Sequence, residues 1–316
     1  MIGETIQKHP LFDQVSFGIG TWAWGDRLFW GYGKEYREDD IRQVFQLCLA
    51  SGIRFFDTAE AYGQGRSEML LGKFLRESDQ KVIVATKFMP FPWRLRKASL
   101  LRALRGSLNR LGLSAVDLYQ MHWPYPPVTI ETWMEAMIEA HQSGLIHAVG
   151  VSNYDRKQVD RAQNSLIRQG VQLASNQVEY HLLNRRIEKD GLLKHCHEQG
   201  IAVIAYSPLA QGVLSGKYTP ENPPSGPRRA RYGRQYLSAI QPLMRLLKKI
   251  GADYDGKTPA QVAINWTICK GTVPIPGIKT IAQLEQNLGV IGWQLTEEDI
   301  ARLDEASDQV AKNLKK

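Results

Sequence analysis

The chain has 316 residues, of which 43% are hydrophobic and 23% are charged, so it can bury a sizeable core and has the charge content of a globular protein. No apolar run reaches the length of about 18 residues that a membrane span requires, so we expect no membrane partner. The formal net charge of +8 is spread along the chain, which indicates a solvated positive surface rather than a nucleic-acid site; attraction of a phosphate-bearing small molecule is the alternative.

Short apolar runs alternate with helical patterns from one end of the chain to the other. The helical stretches, such as 39–51 and 100–111, carry apolar residues at the spacing of an amphipathic helix. Ser67 stands before the run 68–71 and is predicted to cap that helix. Glycines are predicted to end several helices before the next strand: Gly52, Gly112, Gly144, Gly170 and Gly200. The predicted strands are 15–20, 53–57, 82–87, 116–122, 146–152, 173–177, 201–206 and 273–275.

Strands separated by helices in this way predict an α/β fold, a closed parallel (β/α)8 TIM barrel. We expect one domain over residues 1–316, with a long loop after the seventh strand and a C-terminal extension. An open doubly wound sheet is the alternative, and the segment 18–23 fits its dinucleotide-binding pattern loosely, but no helix start follows. The long loop, 207–236, contains Arg228, Arg229 and Arg231; it is predicted either to cover an anionic ligand or to be a mobile surface loop.

Cysteine usage indicates a reducing compartment, and we expect the cytoplasm. The chain has Cys48, Cys196 and Cys269, an odd number with no CxxC pair, so disulfides are not expected. The segment 1–5 is polar and shows no signal-peptide pattern. The run 195–197, His-Cys-His, lacks a partner cluster, so no metal site is predicted.

Four polar residues at or just after strand ends point to carbonyl reduction: Asp57, Tyr62, Lys87 and His122. The carboxyl ends of barrel strands form the active-site face, so the fold would bring these residues together. An ammonium beside the phenol would lower the pKa of Tyr62 from its usual value of about 10 and make it a proton donor. Asp57 would keep Lys87 charged, and His122 would hydrogen-bond the substrate oxygen. Taken singly, Asp57 is equally well a turn former and His122 a core residue; only their joint placement carries the inference.

Aromatic residues near the same strand ends predict a flat apolar cleft for an aromatic aldehyde. The pocket candidates are Trp24, Trp30, Trp93 and Trp123, with Trp22 beside them; core packing is the alternative for Trp24, Trp30 and Trp93. Trp133 and Trp266 lie on helical faces and are assigned to the core.

At these residues the chain resembles the aldo-keto reductases. The resemblance covers nearly the whole chain and rests on the motifs FFDTAEAYG, ATK, MHWP, GVSNY, SNQVEY, AYSPLAQGVLSGKY and VPIPGIK. It implies a (β/α)8 barrel that binds NADPH without a Rossmann domain, and a catalytic tetrad of Asp57, Tyr62, Lys87 and His122. Other segments, such as FGIGTWAWG, are similar to the plant and cyanobacterial branch that includes chloroplast pyridoxal reductase, which suggests pyridoxal as one substrate among many aldehydes.

The resemblance also implies a set of cofactor residues. Ser152, Asn153 and Gln177 would hold the nicotinamide carboxamide, and Tyr206 would stack on the ring. Ser207, Leu209, Gln211, Leu214 and Lys217 would line the pyrophosphate, and Gly277, Lys279, Thr280, Gln283, Gln286 and Asn287 would surround the adenosine end. Gly20, Thr21 and Trp22 complete the cofactor set. Many NADPH-using members carry an Arg near the 2′-phosphate of the cofactor, at the position of Thr280 or Gln283. This chain keeps Lys279, which with Thr280 can still bind that phosphate, so we expect NADPH with a weaker preference over NADH.

These inferences lead to one principal function and two alternatives. The principal one is reduction of small aldehydes or ketones to alcohols with NADPH. A nicotinamide-binding regulatory subunit that senses redox state with little turnover is the second, and the intact tetrad favours turnover over it. Nucleic-acid binding rests on the charge of +8 alone.

Overall fold

The computed structural model describes residues 8–314, and its eight strands lie in sequence order around one parallel sheet. The strands are β1 Ile19–Gly20, β2 Phe55–Asp57, β3 Ile83–Phe88, β4 Val116–Met121, β5 Ile146–Ser152, β6 Leu173–Glu179, β7 Ala202–Tyr206 and β8 Val273–Ile275. Gly18 donates to the Pro274 carbonyl at 3.0 Å and Gly20 to the Pro276 carbonyl at 3.1 Å, which joins the first strand to the last. The barrel prediction is confirmed, and the open-sheet alternative is wrong. No helix follows the segment 18–23; the next begins at Glu38.

Helices follow the strands as the sequence pattern predicts. They are α1 Glu38–Ala50, α2 Arg66–Arg76, α3 Lys97–Leu111, α4 Ile130–Gln142, α5 Arg156–Ile167, α6 Arg186–Lys189, α7 Leu192–Glu198, α8 Arg228–Arg231, α9 Arg234–Ala239, α10 Gln241–Asp253, α11 Pro259–Cys269, α12 Ile281–Leu288 and α13 Glu297–Asn313. Gly112 ends α3 with φ at 70°, a left-handed conformation that a side chain disfavours. The cap prediction for Ser67 is wrong: this residue lies inside α2, after Gly65, and its hydroxyl donates to the Thr21 carbonyl at 2.9 Å.

The segment after β7 is less irregular than the sequence indicates. It contains a 3-10 helix, Ala210–Ser215, and the short helices α8 and α9 before α10. Arg231 pairs with Glu179 at the end of β6, 3.1 Å between side-chain atoms, which ties the segment to the barrel mouth. The structure has the long segment that we expected after the seventh strand, and it also has the expected C-terminal extension, α12 and α13.

The barrel interior changes from apolar to polar along each strand. A buried cluster at the amino ends includes Phe55, Ala85 and Leu118, and the ring of Phe12 in the 3-10 helix Pro10–Phe12 lies 5.7 Å from that of Phe55. Two residues further along β2, β3 and β4, on the same face, stand Asp57, Lys87 and Gln120. The packed base therefore supports a polar layer at the carboxyl ends of the strands.

The remaining expectations concern the membrane, the cysteines and the amino terminus. Within residues 8–314 no helix is long and apolar enough to cross a membrane. The three cysteines are free thiols, and Cys48 and Cys196 are buried. In the run 195–197, for which no metal site is predicted, the side chain of His195 lies 2.6 Å from that of Asp160. The segment 1–5, which shows no signal-peptide pattern, lies outside the described residues.

Candidate active site

A buried ion pair lies at the centre of the polar layer. The ammonium of Lys87 on β3 contacts Asp57 Oδ1 on β2, and both side chains are almost wholly buried. Lys87 also donates to the Thr58 carbonyl at 2.8 Å and to the Tyr62 hydroxyl at 3.3 Å. A buried charge is tolerated only when it is paired and hydrogen-bonded, and both conditions are met here. The ammonium is therefore fixed between a carboxylate and a phenol.

Tyr62 reaches the ion pair from a tight turn between β2 and α2. The turn, Tyr62–Gly65, has left-handed φ values at Gly63 (55°) and Gln64 (58°). A side chain at Gly63 would place its Cβ 3.0 Å from the Gly25 carbonyl oxygen, so the two loops meet closely. The Lys87 ammonium lies 4.8 Å from the centre of the Tyr62 ring, and Tyr62 remains partly exposed. Its hydroxyl thus lies between the buried ion pair and the barrel mouth.

His122 follows β4 and lies against the same phenol. Its ring centre is 5.6 Å from that of Tyr62 in an edge-on arrangement, and its backbone amide donates to the Phe88 carbonyl at 2.9 Å. Burial, and the nearby Lys87 charge, lower the pKa of His122 to about 3. The imidazole is therefore neutral at physiological pH and can donate one hydrogen bond without carrying a charge.

The pKa of Tyr62 differs from the sequence-based expectation. Burial raises it above the usual value and Asp57 adds to the increase, while the Lys87 ammonium opposes both and only limits the rise. Burial alone lowers the pKa of Lys87, but Asp57 and Tyr62 outweigh burial and raise it. The expected lowering of the Tyr62 pKa is therefore wrong for this structure. The phenol is protonated and the amine charged, which is the pairing that a proton donor requires.

The four residues predicted to hold a nicotinamide form one hydrogen-bonded group. Ser152 donates to the Gln177 carbonyl at 2.8 Å, and Asn153 donates to the His122 carbonyl at 3.1 Å. The hydroxyl of Tyr206 donates to Asn153 Oδ1 at 3.0 Å. Asn153 and Ser207 have positive φ values, 63° and 53°, a backbone conformation that is uncommon for residues other than glycine. The group connects the ends of β5, β6 and β7 to the predicted catalytic residues.

Three cations surround two aromatic rings on the other side of the mouth. The Arg228 guanidinium lies 5.3 Å from the Trp30 ring and donates to the Tyr218 hydroxyl at 2.9 Å. The Lys279 ammonium lies 5.7 Å from the Trp30 ring, and that of Lys217 lies 4.8 Å from the Tyr218 ring. Such a group of cations suits an anionic ligand.

Lys279 has a carboxylate partner that the sequence did not indicate. Its ammonium lies 3.2 Å from Glu35 in the loop before α1, and it donates to the Trp30 carbonyl at 3.3 Å. Burial lowers the pKa of Lys279, and Glu35 opposes that shift. An incoming phosphate would therefore compete with Glu35 for the same ammonium.

The other predicted cofactor residues divide into accessible and buried ones. Gly20 and Gly277 bridge β1 to the end of β8, and Gly277 is exposed. Thr280 caps α12, and its hydroxyl accepts from the Gln283 amide at 3.3 Å. Those that keep partial exposure are Trp22, Ser207, Leu209, Gln211, Gln283 and Gln286. The side chains of Thr21, Ser152, Gln177, Leu214 and Asn287 are buried, and their assignment to the cofactor site stays a prediction.

The aromatic pocket is smaller than the sequence indicates. Trp24 is fully buried and donates to the Ile278 carbonyl at 3.0 Å, so it is a core residue and its pocket assignment is wrong. Trp93 is 73% exposed and stacks on Phe91, so it is not packed in the core. The ring of Trp22 lies 6.2 Å from that of Tyr62. Trp133 and Trp266 are buried on helices, as expected.

Trp30 and Trp123 remain as candidates for the rim of the pocket. Both are partly exposed; Trp30 lies edge-on to Trp22, with ring centres 5.4 Å apart, and Trp123 stacks on Tyr125. Sequence reasoning missed Gln120, which is fully buried and donates to Asp57 Oδ2 at 3.0 Å. Its position two residues before His122, on the inward face of a strand, was an available signal.

Comparison with known proteins agrees with this geometry. The family model of the aldo/keto reductase family matches residues 16–308. The chain is 43% identical over 310 residues to pyridoxal reductase, chloroplastic, of Arabidopsis thaliana, covering 94% of this chain and 84% of the relative. It superposes on glycerol dehydrogenase of Gluconobacter oxydans with a TM-score of 0.81 and 28% identity, covering 96% of this chain and 95% of the other.

A second solved structure is an aldo/keto reductase of Klebsiella pneumoniae in complex with NADP and acetate. Its TM-score is 0.70 and its identity 28%, with 92% of this chain and 90% of the other covered. The strand order, the family match and the identity to a named relative lead to the same assignment. The chain therefore belongs to the aldo/keto reductase family of oxidoreductases.

Proposed function

We propose that this protein reduces aldehydes or ketones to alcohols with NADPH, using Tyr62 as the proton donor. The observation that carries the proposal is the Lys87 ammonium, which contacts Asp57 and donates to the Tyr62 hydroxyl at 3.3 Å. The neutral imidazole of His122 lies beside the same phenol. A protonated phenol with a cation behind it and a neutral hydrogen-bond donor beside it suits a carbonyl oxygen that gains negative charge.

The chemistry of the mouth residues fits NADPH. When bound, this cofactor supplies the hydride to the carbonyl carbon. Lys217, Arg228 and Lys279 would hold its phosphate groups. Within residues 8–314 the carboxylate paired with these cations is that of Glu35, which is a weak competitor because it is 64% exposed. Ser152, Asn153, Gln177 and Tyr206 would hold the nicotinamide end. The Klebsiella pneumoniae relative in complex with NADP supports the choice of cofactor.

Proton transfer depends on what the ion pair does to Tyr62. As the carbonyl oxygen gains charge, Tyr62 gives it the phenolic proton and becomes a phenolate. Lys87 stabilises that phenolate through the existing hydrogen bond, and Asp57 keeps the amine charged. Because the site is buried, these interactions are less screened than they would be in water. His122 donates to the same oxygen and limits its freedom to move.

We propose an aromatic aldehyde as substrate, with pyridoxal as the first compound to test. The partly exposed rings of Trp22, Trp30 and Trp123 offer flat apolar surface near Tyr62. The 43% identity to a chloroplast pyridoxal reductase supports this substrate. We also propose one domain over residues 1–316 and a reducing compartment such as the cytoplasm, supported by three free thiols.

The proposal is tested by Tyr62→Phe, which removes only the phenolic oxygen. We expect turnover to fall by roughly 10²–10⁴-fold while NADPH affinity stays within about twofold. The assay follows loss of NADPH absorbance, and separately of NADH, with pyridoxal, nitrobenzaldehyde, methylglyoxal and a simple ketone. Wild-type turnover in the variant would refute Tyr62 as the donor. Very slow turnover of the wild type with every carbonyl would favour a redox-sensing role instead.

A further inference from the structure

We infer that Gln120 is a positioning residue that holds the Asp57 carboxylate in the orientation that Lys87 and Tyr62 require. This inference rests on the proposed function, because it assigns a role to a side chain behind the proton donor. The amide nitrogen of Gln120 donates to Asp57 Oδ2 at 3.0 Å, and the whole side chain is buried.

The two oxygens of Asp57 have separate partners. Oδ1 contacts the Lys87 ammonium, while Oδ2 accepts from Gln120 at 3.0 Å and from Gln177 at 2.8 Å. The amide donors thereby leave Oδ1 to the ammonium. Without these donors the carboxylate is free to rotate and to place both oxygens toward the ammonium, because a buried acceptor that loses its donor is left unsatisfied.

Gln120 also joins Asp57 to the predicted nicotinamide group. Its amide oxygen accepts from Gln177 Nε2 at 3.2 Å, and the Gln177 backbone carbonyl accepts from Ser152. Asp57, Gln120 and Gln177 come from β2, β4 and β6, and alternate strands supply one layer of a barrel interior. The contacts therefore form a continuous layer behind the site.

The backbone leaves room for this amide. Gly150 on β5 has no side chain, and a Cβ there would lie 2.8 Å from Gln120 Cγ and 2.6 Å from Ser175 Oγ. Such close approach would force one of these groups to move. The barrel thus accommodates a long polar side chain at a level where β2 and β3 place the ion pair.

The expected effect on Tyr62 follows from the charges that face it. These are Lys87 from β3, Asp57 from β2, the neutral His122 after β4 and the phenol of Tyr206 at the end of β7. Amide donors on Asp57 disperse its negative charge. Removing one leaves more negative potential at Tyr62, which makes the phenolate less stable and the proton harder to transfer.

The test compares Gln120→Met with Gln163→Met, a matched control. Methionine keeps the length of the side chain but lacks the amide. Gln163 is also buried, but its amide oxygen accepts from the Leu173 backbone at 2.8 Å, away from the ion pair. We expect Gln120→Met to lower kcat about tenfold and to move the alkaline limb of kcat/KM upward by about half to one pH unit. NADPH affinity should stay within about twofold, and the control should change neither kcat nor the limb.

Gln120→Glu is a second variant, expected to move the alkaline limb in the opposite direction to Gln120→Met. It replaces the Met variant if that one fails to fold. Burial and the neighbouring Asp57 carboxylate keep the introduced carboxyl group protonated at neutral pH, so it still donates. We expect kcat within about threefold of wild type at neutral pH. Activity should then fall at lower pH than in wild type, because ionisation of the introduced carboxyl removes the donor to Asp57 and adds a negative charge that makes the Tyr62 proton harder to transfer; the alkaline limb then reports this group rather than Tyr62. Limbs that move in the same direction in the two variants would overturn the inference.

Failure of this inference is distinguishable from failure of the proposed function. If Tyr62→Phe is inactive while folded Gln120→Met keeps wild-type kcat and alkaline limb, only the role of Gln120 is refuted. If Tyr62→Phe turns over like wild type, the proposed proton donor itself is wrong. A lower melting temperature and lower activity in both Met variants, with the alkaline limb at its wild-type pH, would show that Gln120 is merely structural. That result would also refute the inference.

Discussion

Removing the buried ammonium of Lys87 separates the contribution of the ion pair to stability from its contribution to chemistry. Lys87→Met keeps most of the side-chain volume but leaves the Asp57 carboxylate without its cation. Both partners are almost wholly buried, at 0% and 1% side-chain exposure. Breaking a buried pair in this way costs about 3–5 kcal/mol, because the remaining charge is uncompensated. The donors Gln120 and Gln177 persist on Asp57, so we expect the lower end of that range, about 3 kcal/mol.

The sign of the pH dependence follows from the unpaired carboxylate. Protonation of this carboxylate removes the uncompensated buried charge. The stability deficit of Lys87→Met relative to wild type should therefore shrink as the pH falls from about 7 to about 5. The double variant Asp57→Asn/Lys87→Met removes both charges and should recover much of the lost stability. It should remain inactive, because Tyr62 then lacks the cation that stabilises its phenolate.

Urea denaturation of the wild type, Lys87→Met, the double variant and Asp57→Asn at both pH values measures the free energy of unfolding, and NADPH oxidation measures activity. Asp57→Asn alone serves as the control, since it leaves Lys87 charged and unpaired. A Lys87→Met variant as stable as wild type would refute the cost assigned to the ion pair. A double variant less stable than Lys87→Met would refute the reasoning that the uncompensated charge is the cause. Turnover close to wild type in the double variant would show that the ammonium does not assist Tyr62.

Further predictions concern the cofactor cations and His122. Lys279→Ala should raise the Michaelis constant for NADPH roughly 10–100-fold and that for NADH far less, because a charged hydrogen bond to phosphate is worth about 1.5–3 kcal/mol; equal effects would remove Lys279 from the 2′-phosphate site. Glu35→Gln should lower the NADPH constant by no more than about fivefold, since Glu35 is largely exposed, and an increase would contradict the competition described above. The pKa of His122, about 3, lies below the unfolded value of about 6.5. The plot of kcat/KM against pH should therefore show no limb from this residue near pH 6.5, while the stability of the fold should decrease as the pH drops below about 6.5. A limb at about pH 6.5 that disappears in His122→Gln would show a charged imidazole.

The sequence by itself determined the barrel and the convergence of the tetrad. Alternating strands and helices leave few topologies for a chain of this length, and the parallel barrel places all strand ends at one face. Asp57, Lys87 and His122 stand at or just after strand ends, so their convergence follows from connectivity. Left-handed glycines such as Gly112 at helix ends were equally predictable, because the conformation itself favours glycine.

Only the tertiary structure decided which side chains face the mouth and how their environment changes them. Trp22 and Trp24 are two residues apart in an irregular turn, where no period fixes direction, and one lies beside Tyr62 while the other is core. The Tyr62 pKa rises rather than falls because burial, which depends on the whole packed surroundings, outweighs the nearby ammonium. The contact between Gln120 and Asp57 joins residues 63 positions apart on two strands separated by β3, and only the packing of the barrel interior brings their side chains within hydrogen-bonding distance.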